Sequence, residues 1–231
     1  MSDAPENTVL RIAVFGPEST GKTVLAEKLA AHFRAPLVRE YARERWDEQG
    51  GFLGLEDMWP VAQEQWRRED AAAAEAVAAH PAPPDVANPA DQSGNATPLG
   101  AEPNQSCHII DDKPVRGTKG GRSALIICDT EALTTMLWSD LLYGTTPEAL
   151  RRGAEKRCRN YALYLLLDTD VPFAPEPQRC FPEPEDREKC RRIWRGALER
   201  RHLPFVEIRG DWAERECAAI AAVEDVLSRA E

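Results

Sequence analysis

The 231 residues, 42% of them hydrophobic, suit one α/β domain carrying an insertion, or at most two small domains, and are enough to bury a sizeable core. A formal net charge of -10 argues against a nucleic-acid or anionic-membrane surface, because neutralising phosphates needs a basic face that this balance does not supply. Met1-Ser2-Asp3-Ala4-Pro5-Glu6 lacks the basic region and apolar core of a secretion signal, and no apolar run approaches the roughly 20 residues that span a bilayer, so a cytoplasmic protein is expected.

Residues 1–8 read as a disordered tail and 9–231 as a single domain. Val9 to Phe15 is an apolar run rich in β-branched residues. It feeds Gly16-Pro17-Glu18-Ser19-Thr20-Gly21-Lys22-Thr23, and Val24 to Phe33 continues with apolar residues at helical spacing. Strand, Gly-x-x-x-x-Gly-Lys-Thr loop and helix therefore follow one another in the order that a phosphate-binding loop requires. Successive loop N–H groups and the helix start point into one concavity, where the helix dipole favours negative charge. Gly16, Glu18, Ser19, Thr20, Gly21, Lys22, Thr23 and Val24 are the expected ATP contacts. Lys22 should reach the β- and γ-phosphates, and Thr23 should ligate Mg²⁺ through its hydroxyl.

Pro36 to Arg39 reads as a short second strand ending in Glu40-Tyr41-Ala42-Arg43, which starts a helix that Gly50-Gly51 stops. Ligands of open parallel sheets gather at the carboxyl ends of strands, so Glu40, Tyr41 and Arg43 are aimed at the crevice of the phosphate loop. Asp57 to His80 is a long helical stretch in which Trp59 and Trp66 stand seven apart, a spacing that suits core packing and also a stacking platform.

From Pro81 to Pro103 there are six prolines among Asp, Asn, Ser and Gly, and no aromatic residue occurs between Trp66 and Trp138. Such a stretch cannot bury enough apolar surface to offset its ordering entropy, so about 81–122 reads as a flexible insertion. Two strings run into aspartate, Ile109-Ile110-Asp111-Asp112 and Ala124-Leu125-Ile126-Ile127-Cys128-Asp129. The second has the longer apolar run and a helix behind it, which places the buried strand at 124–128. Asp129 then belongs beside the phosphate loop, where the Mg²⁺-associated carboxylate of such folds sits.

Thr130 to Tyr143 is helical. Thr145-Thr146-Pro147-Glu148 offers a capping hydroxyl, a first-turn proline and an acid for a further helix to about Arg159. Tyr161 to Leu167 is a nearly all-apolar fourth strand. Val171 to Pro184 holds five prolines and one basic residue, Arg179, before the charged helix Glu185 to His202. About 171–202 is where a lid would carry arginine over a transferring phosphate, Arg179 foremost, with most of the helical arginines simply solvated. Pro204 to Arg209 is the fifth strand. Its turn, Gly210-Asp211-Trp212, borders the expected adenine or packs the start of a last amphipathic helix to about Ala230.

Six cysteines, Cys107, Cys128, Cys158, Cys180, Cys190 and Cys217, form no C-x-x-C pair and read as reduced thiols. Cys107-His108 finds no second half of a metal site elsewhere.

Five strands alternating with helices around a phosphate loop point to an α/β, P-loop kinase-like three-layer fold with a five-stranded parallel sheet. The phosphate loop, Glu40-Tyr41-Ala42-Arg43, Cys128-Asp129-Thr130-Glu131 with Leu133-Thr134-Thr135 and Trp138-Ser139, Tyr164 to Asp168, and Gln178-Arg179 before Pro184-Glu185-Asp186-Arg187 together resemble the bacterial ribosylnicotinamide kinase domain. That domain is best known as the C-terminal part of the multifunctional NAD-biosynthesis regulator. The resemblance implies ATP- and Mg²⁺-dependent phosphorylation of the 5′-hydroxyl of nicotinamide riboside. Lys22, Asp129, Glu40 and Arg179 would be catalytic, Thr23 and Asp129 would hold the metal, and Arg39, Glu40, Tyr41, Arg43, Trp59, Asp129 and Thr130 would bind substrate. Glu40 and Asp129 are both candidates for the carboxylate that accepts the hydroxyl proton. No adenylyltransferase or DNA-binding domain is expected ahead of Val9. Some members of that family place an aromatic residue where this chain has Arg39, which admits a carboxylated ring such as nicotinic acid riboside. Another nucleoside kinase of the same fold, or a nucleotide sensor without turnover, fits the same motifs; a GTPase does not, since no Asn-Lys-x-Asp string reads guanine.

Overall fold

The computed structural model describes residues 9–79 and 123–230; the tail at 1–8 and the whole of the expected insertion at about 81–122, with the alternative strand at Ile109–Asp112 and Cys107-His108 within it, lie outside them. Five parallel strands, β1 (Leu10–Phe15), β2 (Leu37–Val38), β3 (Leu125–Asp129), β4 (Leu163–Leu167) and β5 (Phe205–Ile208), form one sheet in the order β2-β3-β1-β4-β5. β3 and β4 are buried along their whole length and β1 everywhere except Arg11. A central parallel strand is covered on both faces, which is why these segments are continuous apolar runs without alternation.

The helices are α1 (Lys22–Phe33), α2 (Tyr41–Glu48), α3 (Met58–Ala79), α4 (Ala132–Tyr143), α5 (Glu148–Arg157), α6 (Pro184–Glu199) and α7 (Trp212–Ala230). Alternate residues of β1 divide the core between them. Ile12 and Val14 pack with Leu25 and Leu29 of α1 and Ala219 and Val223 of α7, while Ala13 and Phe15 pack with Trp66, Leu133, Leu150 and Trp194 of α3, α4, α5 and α6. The result is helix, sheet and helix in three layers.

The sheet order decides where a ligand can sit. The connection leaving β1 runs outward to β2, and the one leaving β3 returns past β1 to β4, so the crevice between diverging connections opens above β1 and β3. Val14 is in register with Asp129, and Phe15 with Leu166, so the loop after β1 emerges beside the end of β3.

One local expectation is overturned. Thr146 does not cap α5: Pro147 itself holds the N-cap position, with no side-chain cap bond, and Glu148 supplies the acid of the first turn. The Thr146 hydroxyl is buried and lies 3.1 Å from the Met136 carbonyl and 2.8 Å from Asp140 Oδ1, so it secures the end of α4 instead.

Candidate active site

The phosphate loop is shaped by two glycines. Gly16 has φ 149°, and a Cβ there would stand 3.0 Å from the Leu167 carbonyl, so only a bare backbone lets the loop leave β1 against β4. Gly21, the N-cap of α1, has φ 84°, and a Cβ on it would enter the Trp212 ring at 2.5 Å. Thr20 is fully buried and donates to the Pro17 carbonyl at 2.9 Å; Lys22 Nζ donates to the same carbonyl at 2.7 Å. The lysine is thus folded back across the loop.

Around Lys22 stand Glu40, at the start of α2, and Asp129, at the end of β3. Burial pushes the Lys22 ammonium below its usual pKa, against the pull of Glu40, Asp129 and Glu18. Burial likewise raises both carboxyls; Lys22 draws Glu40 back down, while the Thr23 hydrogen bond and Lys22 do the same for Asp129. Each group is costly alone and sustained by its neighbours, the electrostatic character expected where charge is to be handled.

Asp129 is 2% exposed, and its Oδ1 is buried without a hydrogen-bond partner. An orphaned carboxylate oxygen beside the Thr23 hydroxyl is the donor set Mg²⁺ takes from a protein when phosphates and water supply the rest, so these two residues fit that ion. No cluster of three or more metal-ligating side chains occurs among the described residues, and this mode of binding needs none. Thr130 follows with φ 69°, a strained setting for a β-branched residue, held by its N–H donating to the Val14 carbonyl at 3.2 Å. Glu131 then caps α4 with both oxygens, accepting from Leu133 N at 2.7 Å and Thr134 N at 3.1 Å. Its burial pushes the carboxyl up to about 8.

The segment between β4 and α6 closes over the loop. Glu18 Oε1 accepts from Cys180 N at 2.8 Å and Phe181 N at 2.5 Å, and Ser19 Oγ accepts from Ala174 N at 2.7 Å and Arg179 Nη1 at 3.3 Å. Glu176 binds Arg179 Nη2 at 2.7 Å and, across the crevice, Arg43 Nη1 at 3.0 Å. From α6, Arg187 reaches the Ser19 carbonyl at 3.5 Å, whereas Arg191 and Arg195 are matched by acidic side chains such as Asp168 and Glu199. Arg179 therefore lies at the loop as expected, and Arg187 joins it.

Of the remaining expected contacts, Tyr41 donates its N–H to Gln65 Oε1 at 2.9 Å and carries the Arg68 guanidinium 4.5 Å above its ring. Trp59 packs edge-on against Trp66 at 5.5 Å and only part of it is exposed. Arg39 is exposed and pairs with Glu27 of α1 at 2.7 Å. On the other side of the loop, Gly21, Val24, Leu25, Lys28, Leu167, Trp212 and Arg215 line a cavity of about 370 Å³. Val24 and Trp212 are thus brought to one hollow. Gly210 does not line it; its N–H donates to Asp170 Oδ2 at 2.7 Å and its carbonyl accepts from Arg215 Nε at 2.9 Å.

Arg215 has no counterpart among the expected site residues. It is 1% exposed and ties three segments together, donating to the carbonyls of Gly210 at 2.9 Å, Thr20 at 2.9 Å and Asp168 at 3.0 Å, with Asp170 as its ionic partner. The signal for it was present: Arg215, Ala219 and Val223 are four apart, so the arginine falls on the buried stripe of α7. Glu176 had no such signal.

The loop, the sheet and the crevice above β1 and β3 define a P-loop nucleotide-binding protein of kinase-like fold. Residues 11–83 and 112–215 match the AAA domain family model, and the chain belongs to that family. Among solved structures, the NadR protein in complex with NR superposes with a TM-score of 0.62 at 18% identity, covering 95% of this chain and 51% of that one. The NadR protein in complex with NAD and AMP-PNP gives 0.58 at 19%, covering 95% and 50%. This chain spans about half the length of those proteins. No curated protein matches the sequence.

Proposed function

We propose that this chain phosphorylates the 5′-hydroxyl of nicotinamide riboside, using Mg·ATP and yielding nicotinamide mononucleotide and ADP. The observation that carries the reading is the convergence of Lys22, Thr23, Glu40 and Asp129 at the β1/β3 crevice, under a segment that brings Arg179 to Ser19. The motif resemblance and the structural likeness to NadR support the choice of acceptor.

The β- and γ-phosphates lie along the N–H groups of Gly16–Lys22, and Lys22 leaves the Pro17 carbonyl to meet them. Thr23 and Asp129 are the residues that would hold a magnesium ion, which would supply charge neutralisation at the phosphates. Glu40 faces the acceptor and takes the hydroxyl proton as the 5′ oxygen forms its bond to the γ-phosphorus and the bond to the β,γ-bridging oxygen breaks, releasing ADP. Of the two carboxylates Glu40 suits the base: Asp129 is engaged by Thr23, whereas Glu40 makes no side-chain cap bond to its helix. Arg179 and Arg187 offset charge on the transferring group and, with the closing segment, exclude water. For Arg39 to recognise a carboxylated ring it must exchange Glu27 for the ligand.

The test is ADP release with Mg·ATP against nicotinamide riboside, nicotinic acid riboside and ordinary nucleosides, with Lys22→Ala as control. Turnover confined to the pyridine ribosides and lost in the variant supports the proposal. Turnover on another nucleoside reassigns the acceptor, and tight ATP binding without turnover makes the chain a sensor.

A further inference from the structure

The hollow beside Gly21 has a property that the phosphate chemistry does not require. Its walls are apolar: the exposed half of Trp212, Val24, Leu25 and Leu167. The charged side chains in its lining, Lys28 and Arg215, have protein partners, and so do the polar groups of the turn that carries Trp212. Arg215 spends its guanidinium on the carbonyls of Gly210, Thr20 and Asp168 and on Asp170. Lys28 is paired with Glu216. The Gly210 N–H goes to Asp170 and the Asp211 N–H to Glu214 Oε2 at 2.8 Å. Asp211 Oδ1 accepts from Ala213 N and Glu214 N, both at 2.9 Å, capping α7. A base entering this space finds a ring to stack on and mainly apolar walls at its edges; among the described residues the polar side chains that line it, Lys28 and Arg215, are each held by protein partners rather than aimed at a base edge.

We infer that this chain holds the base of its donor nucleotide by stacking on Trp212 and by shape, without reading the base edge, so that guanine and hypoxanthine nucleotides serve alongside ATP. The inference rests on the reading of the loop as a nucleoside triphosphate site and specifies what that site discriminates. Sites built to hydrogen-bond a group reject analogues lacking it by ~10⁴-fold or more, whereas an apolar pocket distinguishes near-isosteres by about 10²-fold at most.

The experiment is calorimetric titration of the full chain with Mg·ATP, Mg·GTP and Mg·ITP, repeated on Trp212→Phe and Trp212→Ala. Dissociation constants for GTP and ITP within about 100-fold of that for ATP are expected. Trp212→Ala should weaken ATP and GTP by a common factor, about 5- to 150-fold for a lost aromatic platform, and Trp212→Phe should restore most of both. ATP binding with GTP weaker by more than about 100-fold overturns this inference alone. Loss of ATP affinity without matching loss of GTP affinity in Trp212→Ala also overturns it. Failure of all three triphosphates to bind the unmodified chain overturns the nucleotide reading and this inference with it.

Discussion

Arg215→Met tests whether one buried side chain holds the nucleotide loop in place. The substitution keeps most of the stem's volume in a setting that is 1% exposed and removes every donor. The carbonyls of Thr20, Asp168 and Gly210 then lose their partner, while Asp170, 38% exposed, can turn to water, so its ion pair contributes little. Each stranded carbonyl costs about 1–3 kcal/mol, and with partial relaxation of the three toward water a loss of ~3–5 kcal/mol is expected. For a chain of this size that lowers Tm by roughly 6–20 °C. Because Thr20 adjoins the Gly21 N-cap, ATP affinity should fall as well. Denaturant unfolding followed by circular dichroism and calorimetric titration with Mg·ATP read the two effects. A methionine variant within about 1 kcal/mol of the parent and with unchanged ATP affinity would refute the reasoning, since that is the range of an ordinary surface change.

Three further outcomes are expected. Asp129→Asn should cost about 10²- to 10³-fold in kcat. Its Tm should hold or rise, because burial lifts the carboxyl's pKa and makes the ionised form a net liability to the fold at pH 7; steady-state rates and melting curves check the pair, and a clear fall in Tm contradicts it. Glu131, pushed up to about 8 from 4.5, contributes stability that is fully present below pH 4.5 and lost as pH rises through about 8. Melting curves from pH 6 to 9 should therefore fall more steeply for the parent than for Glu131→Gln, and parallel curves would reject the assignment. Glu18→Ala removes the acceptor of the Cys180 and Phe181 N–H groups, so limited proteolysis within 174–182 should accelerate; an unchanged cleavage rate would mean that other contacts hold the segment.

Much of this site was legible before folding because it is local. Val9 to Thr23 carries strand, loop and helix start within fifteen residues, and the apolar run into Asp129 marks a strand end by composition alone. Glu40 and Asp129 were named together from strand ends. Their mutual proximity to Lys22 depends on β3 pairing beside β1, a placement that no spacing along the chain expresses. The error at Thr146 has the same origin. Its local pattern suits a cap, but the buried hydroxyl lies against acceptors of α4, the Met136 carbonyl and Asp140 Oδ1, which only the fold brings within reach.

The sequence by itself determined the phosphate loop, the order of strands and helices along the chain and the residue types able to hold a triphosphate and its metal, since periodicity, β-branching and glycine placement act over a few residues. Tertiary structure alone decided the partners. Arg43 meets Glu176 across 133 positions, Cys180 meets Glu18 across 162, and Arg215 meets Thr20 across 195. Such pairs form only when the sheet order brings strand ends together, and burial then commits each charge to whatever donor or acceptor lies within reach.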